Sequence, residues 1–122
     1  MRVLIADDDR EAVVRLGILL RSEGHQVWST QDSLEVGTAV REFKPQMVLL
    51  DLEMPERDGF QVAEDLCRDH GAECPVLVAV TGHSTPQDRA RAKASGFHHF
   101  VAKPYDPEEL LSLVALFTPA NS

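Results

Sequence analysis

Four apolar segments of the chain are each followed directly by polar side chains that could do chemistry. These side chains are Asp7 with Asp8, Asp51, Thr81 and Lys103. If the segments are parallel strands of one sheet, their carboxyl ends share one edge, which is where open α/β sheets bind ligands. One small site would then hold three carboxylates, a hydroxyl and an ammonium, a set that suits a divalent cation and a phosphoryl group.

The three carboxylates favour a metal ion. Converging carboxylates repel one another, which raises the pKa of some of them unless a cation lies between them. Mg²⁺, or Mn²⁺ in its place, is expected because such an ion takes its ligands from one or two carboxylates, waters and a substrate phosphate. Asp51 closes a strongly apolar strand, so a solvated turn explains it poorly, whereas Asp9 is well explained as a helix N-cap.

Lys103 and Thr81 complete the predicted site. Lys103 would place a positive charge opposite the acids, and Thr81 would add a neutral hydrogen-bond donor. The Lys103–Pro104 bond can adopt the cis form because an X-Pro bond lowers the penalty for that isomer, and such a kink would aim the ammonium into the site. Each residue alone is typical of a surface or a turn, so the prediction depends on their joint placement.

The elements that position these residues follow from hydrophobic periodicity. Apolar segments alternate with segments of helical period about five times, which is typical of a βαβ series and of a parallel sheet covered on both faces. We predict five strands at Val3–Ala6, Val27–Ser29, Met47–Leu50, Val76–Val80 and His99–Ala102. The second strand, with Trp28, is the more edge-like of the five.

Five helices are predicted from their caps and their apolar periodicity. Their starts lie near Asp9, Asp32, Asp58, Thr85 and Asp106, and the last helix ends near Phe117. In the second helix, Asp32 and Glu35 form a capping-box pattern. The fourth is rich in alanine and charge, so we expect it to bury little and to be less firmly held. Cys67 falls on the apolar stripe of the third helix and is expected to be a reduced core residue.

The composition limits the class of protein. A chain of 122 residues fits one domain with one core, which we predict over residues 1–117, followed by a frayed tail at 118–122. A net charge of −8 and a pI near 5.0 argue against binding to nucleic acid or anionic lipid. The sequence contains no secretory or membrane-spanning pattern, so a cytoplasmic location is expected. Cys67 and Cys74 match no common zinc or redox spacing.

Several short motifs occur in order at these strand ends. They are Asp7-Asp8, then Asp51-Leu52-Glu53-Met54-Pro55 with Asp58-Gly59, then Thr81, then Lys103-Pro104. With them, the chain resembles the receiver domain of bacterial two-component response regulators over about residues 2–116. The resemblance implies a single-domain, three-layer αβα sandwich with a five-stranded parallel sheet of order 2-1-3-4-5, the flavodoxin-like or CheY-like α/β fold.

The resemblance also implies a role for each acid. Asp51 would be the phosphoacceptor, attacking the phosphohistidine of a sensor kinase to form an aspartyl phosphate. Asp8 and Asp51 would bind Mg²⁺ directly, together with the backbone carbonyl of Glu53, and Asp7 would act largely through water. The protein would then be a signalling phosphoacceptor that catalyses its own phosphorylation and dephosphorylation, and not an enzyme with a separate substrate.

The resemblance further implies a switch. Thr81 and Lys103 would hold the phosphoryl oxygens, and Thr81 would move toward them while Phe100 turned inward. The face made by the fourth helix, fifth strand and fifth helix would carry the signal to a partner. The alternative is that Phe100 is a plain core residue. Glu53 and His83 would set the lifetime of the phosphoryl group, unless both are ordinary solvated loop residues.

The implied partners are a sensor histidine kinase or phosphotransfer protein, and a downstream protein target or a fused effector outside this chain. A phosphorylation-dependent homodimer is also expected. Whether the receiver stands alone or was cut from a longer regulator or a hybrid kinase stays open at this point. Because Met1 lies directly against the first strand, a missing part is expected on the C-terminal side.

Three rival functions are disfavoured. An aspartate-nucleophile phosphatase uses similar groups, but it resembles a pattern with the nucleophile in the first strand, a second Asp two residues later and the accessory acids last. Here the acid pair comes first, and Glu53 follows Asp51. A receiver-like docking module without phosphorylation is disfavoured because the acceptor, metal and hydroxyl positions are all filled. A flavin phosphate would be repelled by the acidic strand-end loops.

Overall fold

Parallel strands form the centre of the molecule, as the computed structural model describes it over residues 1–119. The strands are β1 Arg2–Ala6, β2 Gln26–Thr30, β3 Met47–Leu50, β4 Val76–Thr81 and β5 His99–Ala102. All neighbours pair in parallel, in the order β2-β1-β3-β4-β5. This arrangement confirms the predicted sheet and puts the strand that carries Trp28 at one edge. Of the predicted tail, residues 120–122 lie outside the described residues.

Five helices are present, as predicted: four connect successive strands, and the fifth follows the last strand. They are α1 Arg10–Ser22, α2 Val36–Phe43, α3 Gly59–His70, α4 Pro86–Ser95 and α5 Pro107–Phe117. Four of them begin with a side chain that accepts a hydrogen bond from the first turn, namely Asp9, Asp58, Thr85 and Asp106. Such caps satisfy backbone N–H groups that have no partner within the helix. Within residues 1–119, no helix combines the length and the apolar character that crossing a membrane requires.

The helices cover both faces of the sheet. Because successive side chains of a strand point to opposite faces, Leu4 and Ala6 of β1 lie in a core with α2, α3 and α4, whereas Val3 and Ile5 lie in a core with α1 and α5. The strands β1, β3 and β4 are therefore buried on both sides, which explains their near-continuous apolar sequence.

The start of the second helix differs from the prediction. The carboxylate of Asp32 accepts from the N–H of Leu34 and caps a separate 3₁₀ turn, Ser33–Glu35, so that the capping box with Glu35 is not formed and α2 begins at Val36. The N–H of Asp32, from which the Glu35 side chain would have to accept, donates instead to Oγ1 of Thr30 at 3.1 Å. The buried Ser33 hydroxyl donates to the carbonyl of Pro55 at 2.7 Å, which ties this turn to the loop after β3.

Two further expectations concern the outer helices. α4 buries only Ala92 and Ser95 among its ten residues, which confirms that it is a lightly packed element. Cys67 is not a full core residue, because it is only partly buried and packs against the edge of the core.

The carboxyl edge of the sheet continues into the loops that carry the predicted site. The N–H of Asp51 donates to the carbonyl of Ala6 at 2.9 Å, and the N–H of Lys103 donates to the carbonyl of Thr81 at 2.8 Å. The start of α3 packs directly on the loop after β3. A Cβ at Gly59 would lie 2.8 Å from the carbonyl oxygen of Asp51, closer than real Cβ contacts, so this approach requires glycine.

Candidate functional site

Three carboxylates meet at the carboxyl ends of β1 and β3. Asp7 and Asp51 are each only 6% exposed, whereas Asp8 is exposed to solvent. One carboxylate oxygen from each of the three lies within 4.8 Å of the others. Asp7 accepts from the N–H of Asp9 at 2.9 Å, and Asp51 accepts from the N–H of Glu53 at 3.0 Å. In each of these two buried carboxylates, one oxygen is therefore held by a backbone N–H.

Lys103 provides the positive charge at this site. Its Nζ lies 2.8 Å from Oδ2 of Asp7 and 3.6 Å from Oδ2 of Asp51. The peptide bond between Lys103 and Pro104 is cis. Burial acts to lower the pKa of Lys103, but the two carboxylates outweigh burial and raise the pKa above its ordinary value. The ammonium therefore stays charged and neutralises part of the acidic cluster.

Asp51 is the carboxylate whose ionisation is most disfavoured. Its pKa is raised from 3.8 to about 6, chiefly by burial and also by the neighbouring Asp7, against the opposing effects of the Glu53 N–H and Lys103. A carboxylate with such a pKa is ionised at neutral pH but strongly favours a nearby cation. This is the behaviour expected of a carboxylate at a reactive site.

The donor set fits a hard divalent cation. Asp7, Asp8 and Asp51 offer oxygen ligands alone, with no nitrogen or sulfur donor in the group, and Mg²⁺ and Mn²⁺ prefer such ligands. A dication would also relieve the repulsion that raises the pKa of Asp51. The chemistry of the residues is thus compatible with the metal expected from the sequence.

Thr81 lies at the end of β4 with its hydroxyl already engaged. The residue is fully buried, and its Oγ1 donates to Oε1 of Glu53 at 3.3 Å and accepts from the N–H of His83 at 3.2 Å. The other carboxylate oxygen of Glu53 lies 3.0 Å from Nε2 of His83. Glu53 therefore links Thr81 to His83, a contact that the sequence analysis did not foresee. The sequence feature that accompanies this contact is that Glu53 follows Asp51, and His83 follows Thr81, by two positions.

Phe100 lies on β5 at the edge of the core. It is partly buried and packs against the α2–α4 side of the core. The guanidinium of Arg89 in α4 lies over its ring, 4.7 Å from the centroid. Phe100 is thus placed between the core and an exposed cation. Arg89 was not singled out in the sequence, because a charged residue in a solvated helix gives no local sign of its aromatic partner.

The raised pKa of Asp51 predicts how stability depends on pH. Because the folded-state pKa of about 6 exceeds the ordinary 3.8, the folded state binds this proton more tightly, so ionisation costs stability progressively as pH rises through this window. Asp51→Asn should therefore stabilise the metal-free protein by ~1–3 kcal/mol above pH 7 and by little below pH 4. Urea unfolding in EDTA at a series of pH values measures this.

Asp69→Asn, at an exposed position on α3, is the matched control and should show no such pH-dependent gain. A stability difference between Asp51→Asn and wild type that is the same at every pH would contradict the raised pKa.

Comparison with known proteins agrees with this geometry. The sequence profile of the response regulator receiver domain matches residues 3–115. The chain is 35% identical over 113 residues to the DNA-binding response regulator MtrA of Mycolicibacterium paratuberculosis, an alignment that covers 93% of this chain and 49% of MtrA. It is 31% identical over 113 residues to Protein PilH of Pseudomonas aeruginosa, with 93% of each chain covered. The chain therefore spans about half the length of MtrA and most of PilH.

Solved structures share the fold. A two-component response regulator from Clostridium difficile superposes with a TM-score of 0.90 at 20% identity, covering 96% of this chain and 94% of that one. The chemotaxis protein CheY4 of Vibrio cholerae superposes with a TM-score of 0.88 at 21% identity, covering 96% and 98%. Since the profile match extends over nearly the whole chain, this chain belongs to the family of response regulator receiver domains of two-component systems.

Proposed function

We propose that this receiver domain accepts a phosphoryl group on Asp51 from the phosphohistidine of a sensor kinase or phosphotransfer protein, in a Mg²⁺-dependent reaction. The observation that carries the proposal is the position of Asp51. Its buried carboxylate lies within reach of two further carboxylates and of the Lys103 ammonium, at the carboxyl edge of a parallel sheet. This arrangement supports a nucleophile beside a cation site.

In the proposed step, a carboxylate oxygen of Asp51 attacks phosphorus as the bond from phosphorus to the histidine nitrogen breaks, and the imidazole leaves with the bonding pair. Positioning and charge neutralisation carry most of the catalysis in such transfers. Asp8, Asp51 and the backbone carbonyl of Glu53 would hold the metal directly, and Asp7 would hold it through water. When bound, Mg²⁺ would supply positive charge to the phosphoryl oxygens.

Two residues must change partners for the transfer. Lys103 is bound to Asp7 and Asp51 before phosphorylation, and the new phosphoryl oxygens would draw its ammonium away from these carboxylates. Thr81 donates to Glu53, and its hydroxyl would turn to donate to the phosphoryl group. The movement of Thr81 out of its contact with Glu53 is therefore the proposed first event of the switch.

The output side would involve Phe100. Movement of Thr81 at the end of β4 would leave space on the adjoining strand β5, into which Phe100 would turn, releasing its contact with Arg89. Phosphorylation would then shift the population between two arrangements of the α4–β5–α5 face. The light packing of α4 supports this assignment, because an element that buries little rearranges at low cost.

The proposed partners follow from this chemistry. The kinase or phosphotransfer protein engages the site, and a downstream protein target or an effector outside this chain reads the α4–β5–α5 face, with a phosphorylation-dependent homodimer as one form of output. The DNA binding named for MtrA belongs to a protein about twice as long. The net charge of −8 gives this chain no support for direct contact with nucleic acid or with a membrane surface, and we place its action in the cytoplasm.

Phosphorylation by a small phosphodonor tests the acceptor. Incubation of the chain with acetyl phosphate and Mg²⁺ should add one phosphoryl mass to the intact protein. The adduct should be lost in EDTA and in Asp51→Asn, and retained in the surface control Asp69→Asn. Without any adduct in the wild type, the receiver-like docking module becomes the better account. An adduct that persists in Asp51→Asn would place the acceptor elsewhere.

The lifetime of the phosphoryl group tests the roles of Glu53 and His83. Glu53→Ala removes the acceptor that competes for the Thr81 hydroxyl, so Thr81 can stay on the phosphoryl group, and decay should slow by about fivefold, the equivalent of one hydrogen bond of about 1 kcal/mol. His83→Ala should give a smaller change in the same direction, because the imidazole acts on Thr81 through Glu53. Loss of the phosphoryl mass with time gives the rates.

Gln87→Ala, at an exposed position in α4, should decay at the wild-type rate. Wild-type decay rates in both Glu53→Ala and His83→Ala would remove these two residues from the account.

A further inference from the structure

Two sulfur atoms face each other at the edge of the sheet opposite the phosphorylation site. Cys67 lies in the last turn of α3, and Cys74 lies just before β4, after the 3₁₀ turn Gly71–Glu73. Both thiols are free and partly exposed. The S–H of Cys74 points to Sγ of Cys67 at a distance of 3.9 Å. They lie seven positions apart in the sequence, and the turn at the end of α3 brings them together.

The backbone holds both cysteines in place. The N–H of Gly71 donates to the carbonyl of Cys67, and the N–H of Cys74 donates to the carbonyl of Gly71 at 3.1 Å. A disulfide has its sulfurs about 2.0 Å apart. Starting from 3.9 Å, the two sulfurs therefore have to approach each other by about 2 Å for the bond to form.

We propose that Cys67 and Cys74 form a reversible intramolecular disulfide, a redox modification site that is separate from Asp51 and independent of the proposed phosphotransfer. The oxidant is a low-molecular-weight disulfide such as oxidised glutathione. The Cys67 thiolate attacks one sulfur of the oxidant, expels the other half as a thiolate, and forms a mixed disulfide. Cys74 then loses its proton and attacks the Cys67 sulfur, which expels the second thiolate. The two cysteines lose two electrons and two protons, and the oxidant becomes two thiols.

The order of these steps follows from the environment of Cys74. The pKa of the Cys74 thiol is raised to about 12, chiefly by burial and also by the adjacent Cys67. Cys74 therefore stays protonated at first, and the attacking role falls to Cys67, since the thiolate is the nucleophile.

A disulfide here would alter the packing between α3 and α4. A Cβ at Gly96, the residue that ends α4, would lie 2.4 Å from Sγ of Cys67, so the end of α4 packs directly on this sulfur. Rotation of Sγ toward Cys74 moves it off this contact and ties α3 to the start of β4. The redox state of the pair would thus act on α4, which buries only two of its ten residues.

Oxidation of the folded full chain by mixtures of reduced and oxidised glutathione tests the proposal. The wild type should lose two hydrogen masses, become resistant to alkylation at both cysteines, and return to the reduced form with dithiothreitol. Cys67→Ser and Cys74→Ser should each stop at a free thiol or a glutathione adduct. Two alkylatable thiols in the wild type, a stable glutathione adduct, or bonds between chains would overturn it.

A second measurement tests whether the fold brings the sulfurs together. The equilibrium constant for disulfide formation should be at least about tenfold larger in the folded chain than in the same chain unfolded in urea. Equal constants in the two states would overturn the proposal, because the contact between the sulfurs would then contribute nothing.

Discussion

Asp7 and Asp51 are carboxylates at a buried edge of the sheet, and the Lys103 ammonium lies against both of them. Removing these charges from water is costly, and the attraction to a single lysine only partly offsets the repulsion between the acids. The raised pKa of Asp51 is the result of that imbalance. The metal-free protein therefore carries more negative than positive charge at this site. Binding of a divalent cation, or of a phosphoryl group with its counterion, would change the ion pairs among Asp7, Asp51 and Lys103.

The rest of the fold serves to bring these charges together. Parallel pairing of β1 with β3, and of β4 with β5, places Asp7, Asp51, Thr81 and Lys103 at one edge, although 96 residues separate Asp7 from Lys103. Helices on both faces bury the strands, so the loops that follow them are held firmly. At Gly59 the absence of a side chain lets α3 begin directly against the backbone of Asp51. α4, by contrast, buries only two of its ten residues.

The sequence predicted best those features that depend on interactions between residues close together in the chain. Asp51 stands out because a carboxylate directly after a buried apolar strand has few structural explanations, and Asp9 and Thr85 cap their helices through bonds to residues two or three positions away. The order of the strands, by contrast, came from the resemblance to a family, because periodicity identifies strands and does not order them. The roles of the site residues rest on the same resemblance.

Contacts between segments that are far apart in the chain could not be predicted from the sequence. The hydrogen bond between Ser33 and Pro55 joins two loops that lie 22 positions apart in the sequence. The contacts of Thr81 with Glu53, of Arg89 with Phe100, and of Cys67 with Cys74 likewise depend on how separate elements pack. No spacing rule contains that information. These contacts are also the ones through which a phosphoryl group or an oxidant would act on the fold.

In our proposal, a divalent cation binds among the carboxylates of Asp7, Asp8 and Asp51. The unfolding midpoint of the chain, measured as a function of Mg²⁺ concentration at constant ionic strength, tests this directly. A cation that binds the folded state alone raises the midpoint in proportion to the logarithm of its concentration once the site is mostly filled. We expect this rise in the wild type and in Asp69→Asn, and a much weaker rise in Asp8→Asn. A midpoint that does not respond to Mg²⁺, or that responds equally in Asp8→Asn, would contradict the account.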